Sequence, residues 1–269
     1  MSERNAEIYY YDIGDYLSRE QKLNIISQFK SMENLPFTRI TSNEHGDWIS
    51  QRNDKFATWL PIGDKENKNN TNTFFVAHYS NGIKTNRDSW CYNSNKTILT
   101  SNIKKSIEFY NSEVEGFIKA KAENAELIAT DFITYDSTKF AWDWAQKEND
   151  LPKGRKYEFK NESVRLAMYR PFFKQFVYAN RYLNNRVYQI PQLFPTTNQM
   201  NLVICTKGVG DKDFSCLISD CIPDLQVNFN GQCFPLYWYE TIEPKQHSLF
   251  GDDGTKIIRH EAISDFILD

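Results

Sequence analysis

The feature that most constrains the fold is a long run of apolar residues at helical spacing in the middle of the chain. Between about residue 101 and residue 128, apolar side chains recur every three or four positions, at Ile103, Ile107, Tyr110, Val114, Ile118 and Ala122. This period places them on one face of an α-helix. We therefore expect one long helix that joins two lobes and buries this face.

The chain before this helix predicts a smaller α/β region. Residues 6–13 alternate aromatic and apolar character as a strand does, and Ser18 and Gln21 have the spacing of a helix capping box. The helix that follows would turn Leu23, Ile26 and Phe29 inwards. Residues 37–40 are expected to be extended.

The chain after the long helix predicts a mainly antiparallel sheet between residues 157 and 239. Short aromatic and β-branched runs alternate there with Pro, Asn and Gly, at residues 176–178, 202–205, 214–218, 225–227 and 234–239. A further helical stretch is expected after Ser137, and an apolar helix around residues 164–168 would end before Pro171. The predicted fold class is mixed α/β (α+β): an N-terminal α/β part, a long connecting helix and a β-rich C-terminal part.

Composition limits the function classes. The chain has 269 residues, of which 40% are hydrophobic and 15% aromatic, enough for a buried core. No run approaches a membrane span and the N-terminus lacks a signal pattern, so we expect a cytoplasmic protein with no membrane partner. A net charge of −3 argues against an indiscriminate polyanion binder. The five cysteines and four histidines lack the spacing of a zinc site, and mostly buried, reduced thiols are expected.

The polar segment at residues 82–90, Gly-Ile-Lys-Thr-Asn-Arg-Asp-Ser-Trp, follows an apolar run and is typical of a recognition loop. The planar fork of Arg87 suits a guanine edge, the amide of Asn86 suits adenine, and Lys84 suits a phosphate. Trp90 offers a face for a stacked base, and Thr85 belongs to the same candidate site. The alternative is structural: Arg87 and Asp88 form a local ion pair, and Trp90 lies in the core.

Three other segments supply further candidate DNA-binding residues. Residues 46–53 carry Gln51 and Arg52, although turn and capping chemistry also explains them. Arg170, before Pro171, would contact phosphate or tie two elements together through a carboxylate. The remaining candidates alternate with amides and phenols, as in a loop that lines a groove or in a solvated hairpin, and are Lys174, Arg181 and Arg186.

Five segments, in order along the chain, resemble the C-terminal part of single-polypeptide type I (type ISP) restriction-modification enzymes. They are residues 8–20, residues 46–53, residues 82–90, Tyr-Arg-Pro-Phe at 169–172 and Phe-Pro-Leu-Tyr at 234–237. The resemblance implies that residues 1–35 close a methyltransferase domain, and that residues 36–150 and 151–269 form two lobes of a DNA target-recognition region. The implied partners are double-stranded DNA and the methyltransferase and helicase-like domains of a parent chain.

The departures from this family pattern predict a recognition module without catalytic activity. The glycine-rich loop for S-adenosylmethionine and the Asn-Pro-Pro-Tyr loop for the target adenine are missing, and Gly208-Val209-Gly210 lacks the continuation of a cofactor loop. We therefore expect no cofactor here, with S-adenosylmethionine, ATP and Mg²⁺ implied only for a parent enzyme. The apolar pattern of residues 263–269 reads as the start of a longer helix, as expected of a module cut from a larger chain.

Two other functions stay open at this point. The acidic balance and the long helix also fit a module that docks on other domains without reading DNA. A Mg²⁺-dependent nuclease is the third possibility, because Glu158 and Lys160 have Glu-x-Lys spacing and Asp131 and Asp136 precede them. Steep salt dependence of duplex binding would favour DNA recognition over docking.

Overall fold

The protein is described by a computed structural model covering residues 6–49, 54–64, 66–67, 70–76, 79–207, 213–242 and 255–268. The chain divides into two units, Met1–Trp59 and Leu60–Asp269. Gln51, Arg52 and the Gly208-Val209-Gly210 segment lie outside the described residues.

The first unit contains a two-stranded antiparallel sheet and one short helix. Strand β1 (Ile8–Tyr10) pairs with β2 (Thr38–Ile40), and helix α1 is Arg19–Gln28. The predicted capping box is confirmed, because the Gln21 amide donates to the Ser18 hydroxyl and the Ser18 amide donates to the Gln21 side chain. The predicted inward face is wrong: Leu23 and Ile26 are exposed, since none of the described residues of this unit covers that face of the helix.

In its described residues, the second unit holds the long helix and three sheets. Its helices are α2 (Asp88–Cys91), α3 (Lys96–Glu123), α4 (Ala129–Phe132), α5 (Ile190–Leu193) and α6 (Asp265–Leu268). Its strands are β3 (Ser80–Asn81), β4 (Tyr92–Asn93), β5 (Val164–Arg170), β6 (Phe173–Tyr178), β7 (Val203–Thr206), β8 (Cys216–Ser219), β9 (Ile222–Pro223), β10 (Gln232–Pro235), β11 (Tyr237–Ile242) and β12 (Lys256–Glu261). Short 3₁₀ segments occur at Met32–Asn34, Asp54–Thr58 and Asn161–Ser163, and a π-helical turn at Gln146–Asp150.

The sheets are mainly antiparallel, as the sequence predicted. One four-stranded sheet has the order β4-β6-β5-β9, a second has the order β3-β10-β7-β8, and β11 pairs with β12. Only the short β5–β9 pairing is parallel among the described strands. The mixed α/β class is therefore confirmed.

Helix α3 confirms the prediction from apolar spacing, although it begins and ends about five residues earlier than expected. Asn95 caps its first turn by accepting from the amides of Thr97 and Ile98 at 2.9 and 3.1 Å. Its buried face packs with Phe140, Tyr157 and Tyr178 in one apolar cluster. Residues on both sides of position 150 thus share a core.

A second apolar cluster joins the two four-stranded sheets. Ala167 and Val177 come from one sheet, Val203 and Cys233 come from the other, and Ile83 joins them from the loop before α2.

The expectation of mostly buried thiols is confirmed, since four of the five free cysteines are buried and Cys216 is exposed. None of the described helices combines the length and the apolar character needed to cross a bilayer.

Two predicted elements differ from the structure. Residues 164–168 form part of strand β5 instead of a helix, because their side chains alternate between the two faces of a sheet and pair with β6. The helical stretch expected after Ser137 begins only at Trp144 and continues as the π-helical turn.

The helix α3 core gives a direct test of this packing. Ile103 is fully buried and Ile98 is 49% exposed in the same helix. We expect Ile103→Ala to lower the free energy of unfolding by about 2–4 kcal/mol, because it leaves a cavity. The matched control, Ile98→Ala, should cost less than about 1 kcal/mol. Urea unfolding of both variants measures the difference, and equal losses would contradict the assigned helix orientation.

Candidate nucleic-acid interface

Two loops that are distant in sequence meet where the chain leaves strand β3. The backbone of Lys84 pairs with that of Arg186, each amide donating to the other residue's carbonyl at 2.9 Å. The neighbouring residue Ile83 bonds to the backbone of Pro223 and Leu225 at 2.8 and 2.9 Å. The loop at residues 82–86 is therefore held on both sides by backbone hydrogen bonds.

Gly82 permits this close approach. A Cβ atom at this position would lie 2.4 Å from the carbonyl oxygen of Asp224, a distance that no side chain tolerates without a backbone shift. The glycine expected to open a recognition loop thus acts by letting two backbone segments touch.

The side chains of Lys84 and Arg186 are neighbours. Residues directly opposite each other in an antiparallel pair project to the same face, with Cβ atoms about 5 Å apart. Arg186 is exposed and Lys84 half-buried. Within the described part of the chain, neither cation has a carboxylate within ion-pair distance. Two neighbouring cations favour binding of an anion, and the nearby carboxylate of Asp143, whose pKa is lowered in part by Arg186, offsets part of this effect.

Asn86 occupies the apex of the first loop. Its backbone has φ of 55°, in the left-handed region that asparagine tolerates better than most residues. The side chain is exposed, and no described residue forms a hydrogen bond with its amide. The amide is therefore available to a ligand.

These residues border a surface cleft of about 330 Å³. We call it the loop-pair cleft; its lining is Ile83, Lys84, Thr85, Asn86, Asp88, Asp224, Leu225 and Gln226. The lining therefore contains one cation, Lys84, together with two side-chain amides and two carboxylates, and Arg186 lies beside Lys84 outside this lining.

The two carboxylates are held by Arg170 and two tyrosines. Arg170 donates to Asp224 at 2.9 Å and to Asp88 at 3.5 Å, and its guanidinium stacks 3.8 Å from the centre of the Tyr169 ring. Tyr169 donates to Asp88 at 3.0 Å, and Tyr92 donates to Asp224 at 2.9 Å. Arg170 thus ties two elements together through carboxylates, which was the structural alternative for this residue.

Burial governs the ionisation of this cluster. It raises the pKa of the Asp224 carboxyl, and the hydrogen bonds from the Gln226 amide and the Tyr92 hydroxyl act in the opposite direction. Burial, with the nearby Asp224 charge, also raises the pKa of Tyr92 well above its usual range, so this phenol is a donor at neutral pH.

Arg87 has a different environment from the one expected for a base-reading side chain. It is only 5% exposed. Its guanidinium donates to the Ala141 carbonyl and the Gln146 side chain at 2.5 Å and to the Leu183 carbonyl at 2.8 Å. Because these donors are engaged inside the protein, no planar edge faces a base in this conformation. The local Arg87–Asp88 ion pair does not form either, since Asp88 pairs with Arg170.

Two other members of the same segment face inwards. The buried Thr85 hydroxyl donates to Asp88 and accepts from the Arg87 amide, so it orders the loop. Trp90 is half-buried and packs against the α3 cluster, in agreement with the core alternative.

The remaining candidates lie on neighbouring segments. Lys174 forms an ion pair with Asp220 at 2.7 Å, and this contact raises the pKa of the lysine. Arg181 is exposed, with its guanidinium 5.0 Å from the centre of the Tyr182 ring. Of the predicted residues, Lys84, Thr85 and Asn86 line the cleft. Arg186 adjoins it through its pairing with Lys84, and Arg170 adjoins it through its bonds to Asp88 and Asp224. Lys174 and Arg181 are not among its lining residues.

Sequence reasoning missed Asp224 and Gln226, which complete the cleft. The signal was weak, because Gln226 lies within residues 225–227, where a strand was predicted, and Asp224 comes just before them. The chain instead forms a turn at residues 225–229, after strand β9. The carboxylates considered for a nuclease, Asp131, Asp136 and Glu158, do not form a metal-binding group among the described residues. Across the described ranges, no three His, Cys, Asp or Glu side chains are placed to hold a metal ion.

The sequence profile of the Type ISP C-terminal specificity domain matches residues 74–269, and the chain belongs to this family. Comparison with curated protein sequences gave no significant match.

Solved structures agree with this assignment. A nuclease-deletion mutant of the Type ISP restriction-modification enzyme LlaGI, in complex with a DNA substrate mimic, is 33% identical over 96% of this chain, with a TM-score of 0.74. The ATP-dependent Type ISP enzyme LlaBIII bound to DNA is 30% identical over 97%, with a TM-score of 0.72. The chain spans 23% and 16% of the lengths of these two proteins.

A more distant structure shares the fold alone. The DrdV–DNA complex is 24% identical over 98% of this chain and 24% of that one, with a TM-score of 0.69.

The position of Arg87 predicts a structural effect on mutation. Arg87→Ala should lower the free energy of unfolding by about 2–4 kcal/mol, because buried acceptors at Ala141, Leu183 and Gln146 lose their donors. The exposed control Arg186→Ala should change it by less than about 0.5 kcal/mol. Urea unfolding tests this, and an Arg87→Ala variant as stable as the parent would restore the base-reading interpretation.

Proposed function

We propose that this chain recognises a specific sequence of double-stranded DNA as the specificity region of a larger restriction-modification enzyme. The observation that carries the proposal is the loop-pair cleft, which is lined by the cation Lys84 and the exposed amide of Asn86, with Arg186 paired to Lys84 on the neighbouring segment. The family membership and the DNA-bound LlaGI and LlaBIII structures support it.

The side chains at the cleft divide the work of recognition. Lys84 and Arg186 are suited to backbone phosphates, which supply affinity and make it depend on salt. Asn86 is suited to the donor–acceptor edge of adenine in the major groove. The net charge of −3 is compatible with this, because binding depends on the local pair of cations Lys84 and Arg186 rather than on the net charge of the chain.

The chemistry of DNA cleavage and methylation belongs, in this proposal, to other parts of a longer polypeptide. This chain would act without a catalytic group or cofactor of its own, and S-adenosylmethionine, ATP and Mg²⁺ would bind to the nuclease, helicase-like and methyltransferase parts. Its site of action would be the cytoplasm. Lys174 and Arg181 are not among the cleft lining and would touch the flanking DNA backbone, and Gln51 and Arg52 stay candidate DNA contacts from the sequence alone.

The phosphate contacts are tested by salt dependence. We expect Lys84→Ala and Arg186→Ala each to reduce the slope of log K against log salt by about 1, because each removes one phosphate contact. Fluorescence anisotropy with labelled duplexes at several salt concentrations measures the slope. The control is Lys119→Ala, an exposed lysine of helix α3, which should leave the slope unchanged. Equal slopes for all four proteins, the parent included, would contradict the assignment.

The base contact is tested by Asn86→Gly, which removes the amide and retains the left-handed backbone. On a duplex selected from a random library by the parent protein, we expect a loss of about 1–3 kcal/mol of binding free energy. A scrambled duplex should be bound as before. Equal losses on both duplexes would exclude base reading by Asn86, and absence of duplex binding by the parent at low salt would favour the docking alternative.

A further inference from the structure

The hairpin formed by β5 and β6 ends in a fully exposed aromatic ring. Arg170 pairs with Phe173, so Pro171 and Phe172 form a two-residue turn. Phe172 is 92% exposed, which means that nothing in the described part of the chain covers its ring. A large apolar side chain in this position contributes nothing to the core.

The backbone at this residue is also unfavourable for phenylalanine. Phe172 has φ of 60°, in the left-handed region where glycine or asparagine is preferred after a proline at the preceding turn position. An exposed ring on a strained turn is explained neither by burial nor by local conformational preference. Such combinations occur at sites that meet a ligand.

Ion pairs hold the base of the hairpin on both strands. Arg170 binds Asp224 at 2.9 Å, and Lys174 binds Asp220 at 2.7 Å. Strand β5 is also an interior strand, bonded to β6 on one side and β9 on the other. The ring is therefore presented on a rigid support, so little conformational entropy is lost when it enters a partner.

The hairpin tip borders the proposed DNA surface. Asp224 and Asp88 line the loop-pair cleft, and both accept hydrogen bonds from Arg170, two residues before Phe172. The charges at the base of the hairpin nearly cancel through these pairs. Attraction of DNA would come from Lys84 and Arg186, and the tip would add an apolar contact.

We propose that Phe172 is a wedge that stacks on a base of the bound duplex and unstacks one base step. This inference rests on the proposed DNA recognition and adds the residue that deforms the DNA. Apolar side chains inserted between base steps are an established way for proteins to kink DNA, and the face of a phenyl ring stacks on any base. The wedge therefore acts beside the hydrogen-bonding residues of the cleft and reads no base identity itself.

The test compares three variants of the 269-residue chain. Phe172→Asn removes the ring and suits the left-handed backbone, so its thermal stability should equal or exceed that of the parent. Phe172→Trp retains an aromatic face. Phe214→Asn is the matched control, because Phe214 is 81% exposed and lies outside the hairpin. The duplexes carry 2-aminopurine at successive positions of the site selected by the parent protein.

The parent, Phe172→Trp and Phe214→Asn should each increase 2-aminopurine fluorescence at one step, because unstacking relieves its quenching. Phe172→Asn should lose this signal and bind the duplex about tenfold more weakly. Parent binding with normal salt dependence but no unstacking signal, or a signal unaffected in Phe172→Asn, would overturn the wedge and leave DNA recognition intact. A parent protein that binds no duplex would overturn both proposals.

Discussion

Distant parts of the chain meet at one pair of carboxylates, Asp88 and Asp224. Arg170 donates hydrogen bonds to both of them. Tyr169 and Thr85 donate to Asp88, and Tyr92 donates to Asp224. A partly buried carboxylate is costly unless it is paired and hydrogen-bonded, and here both conditions are met. This cluster therefore fixes the position of the loop at residues 82–86 relative to the β5–β6 hairpin, and with it the shape of the cleft and the placement of Phe172.

The buried side chain of Arg87 also holds this loop in place through hydrogen bonds. Arg87 places its guanidinium among the carbonyls of Ala141 and Leu183 and the side chain of Gln146, which come from two segments, residues 141–146 and the turn at Leu183. A planar group with several fixed donors satisfies several acceptors at once, and lysine would not replace it. Within this loop, the side chains of Thr85 and Arg87 therefore face inwards and stabilise its conformation, while those of Lys84 and Asn86 are available to a ligand.

The parts of this structure that were predicted correctly depend on local patterns. The apolar spacing of Ile103, Ile107 and Val114 identified helix α3, and the Ser18–Gln21 spacing identified the cap of α1. Strand β5 was mistaken for a helix, because a short apolar run fits either period until its partners are known. The inward turn of Arg87 depends on acceptors 54, 59 and 96 positions away, and no local pattern reports them. The meeting of Lys84 with Arg186 is equally non-local.

Binding of duplex DNA at the loop-pair cleft can be mapped by hydrogen–deuterium exchange of the chain with and without its selected duplex. We expect slower exchange in peptides that contain residues 82–86, residues 184–186 and the turn at Pro171 and Phe172, with no change along the exposed face of helix α3. Protection confined to helix α3 or to the first unit, with the cleft peptides unchanged, would contradict it.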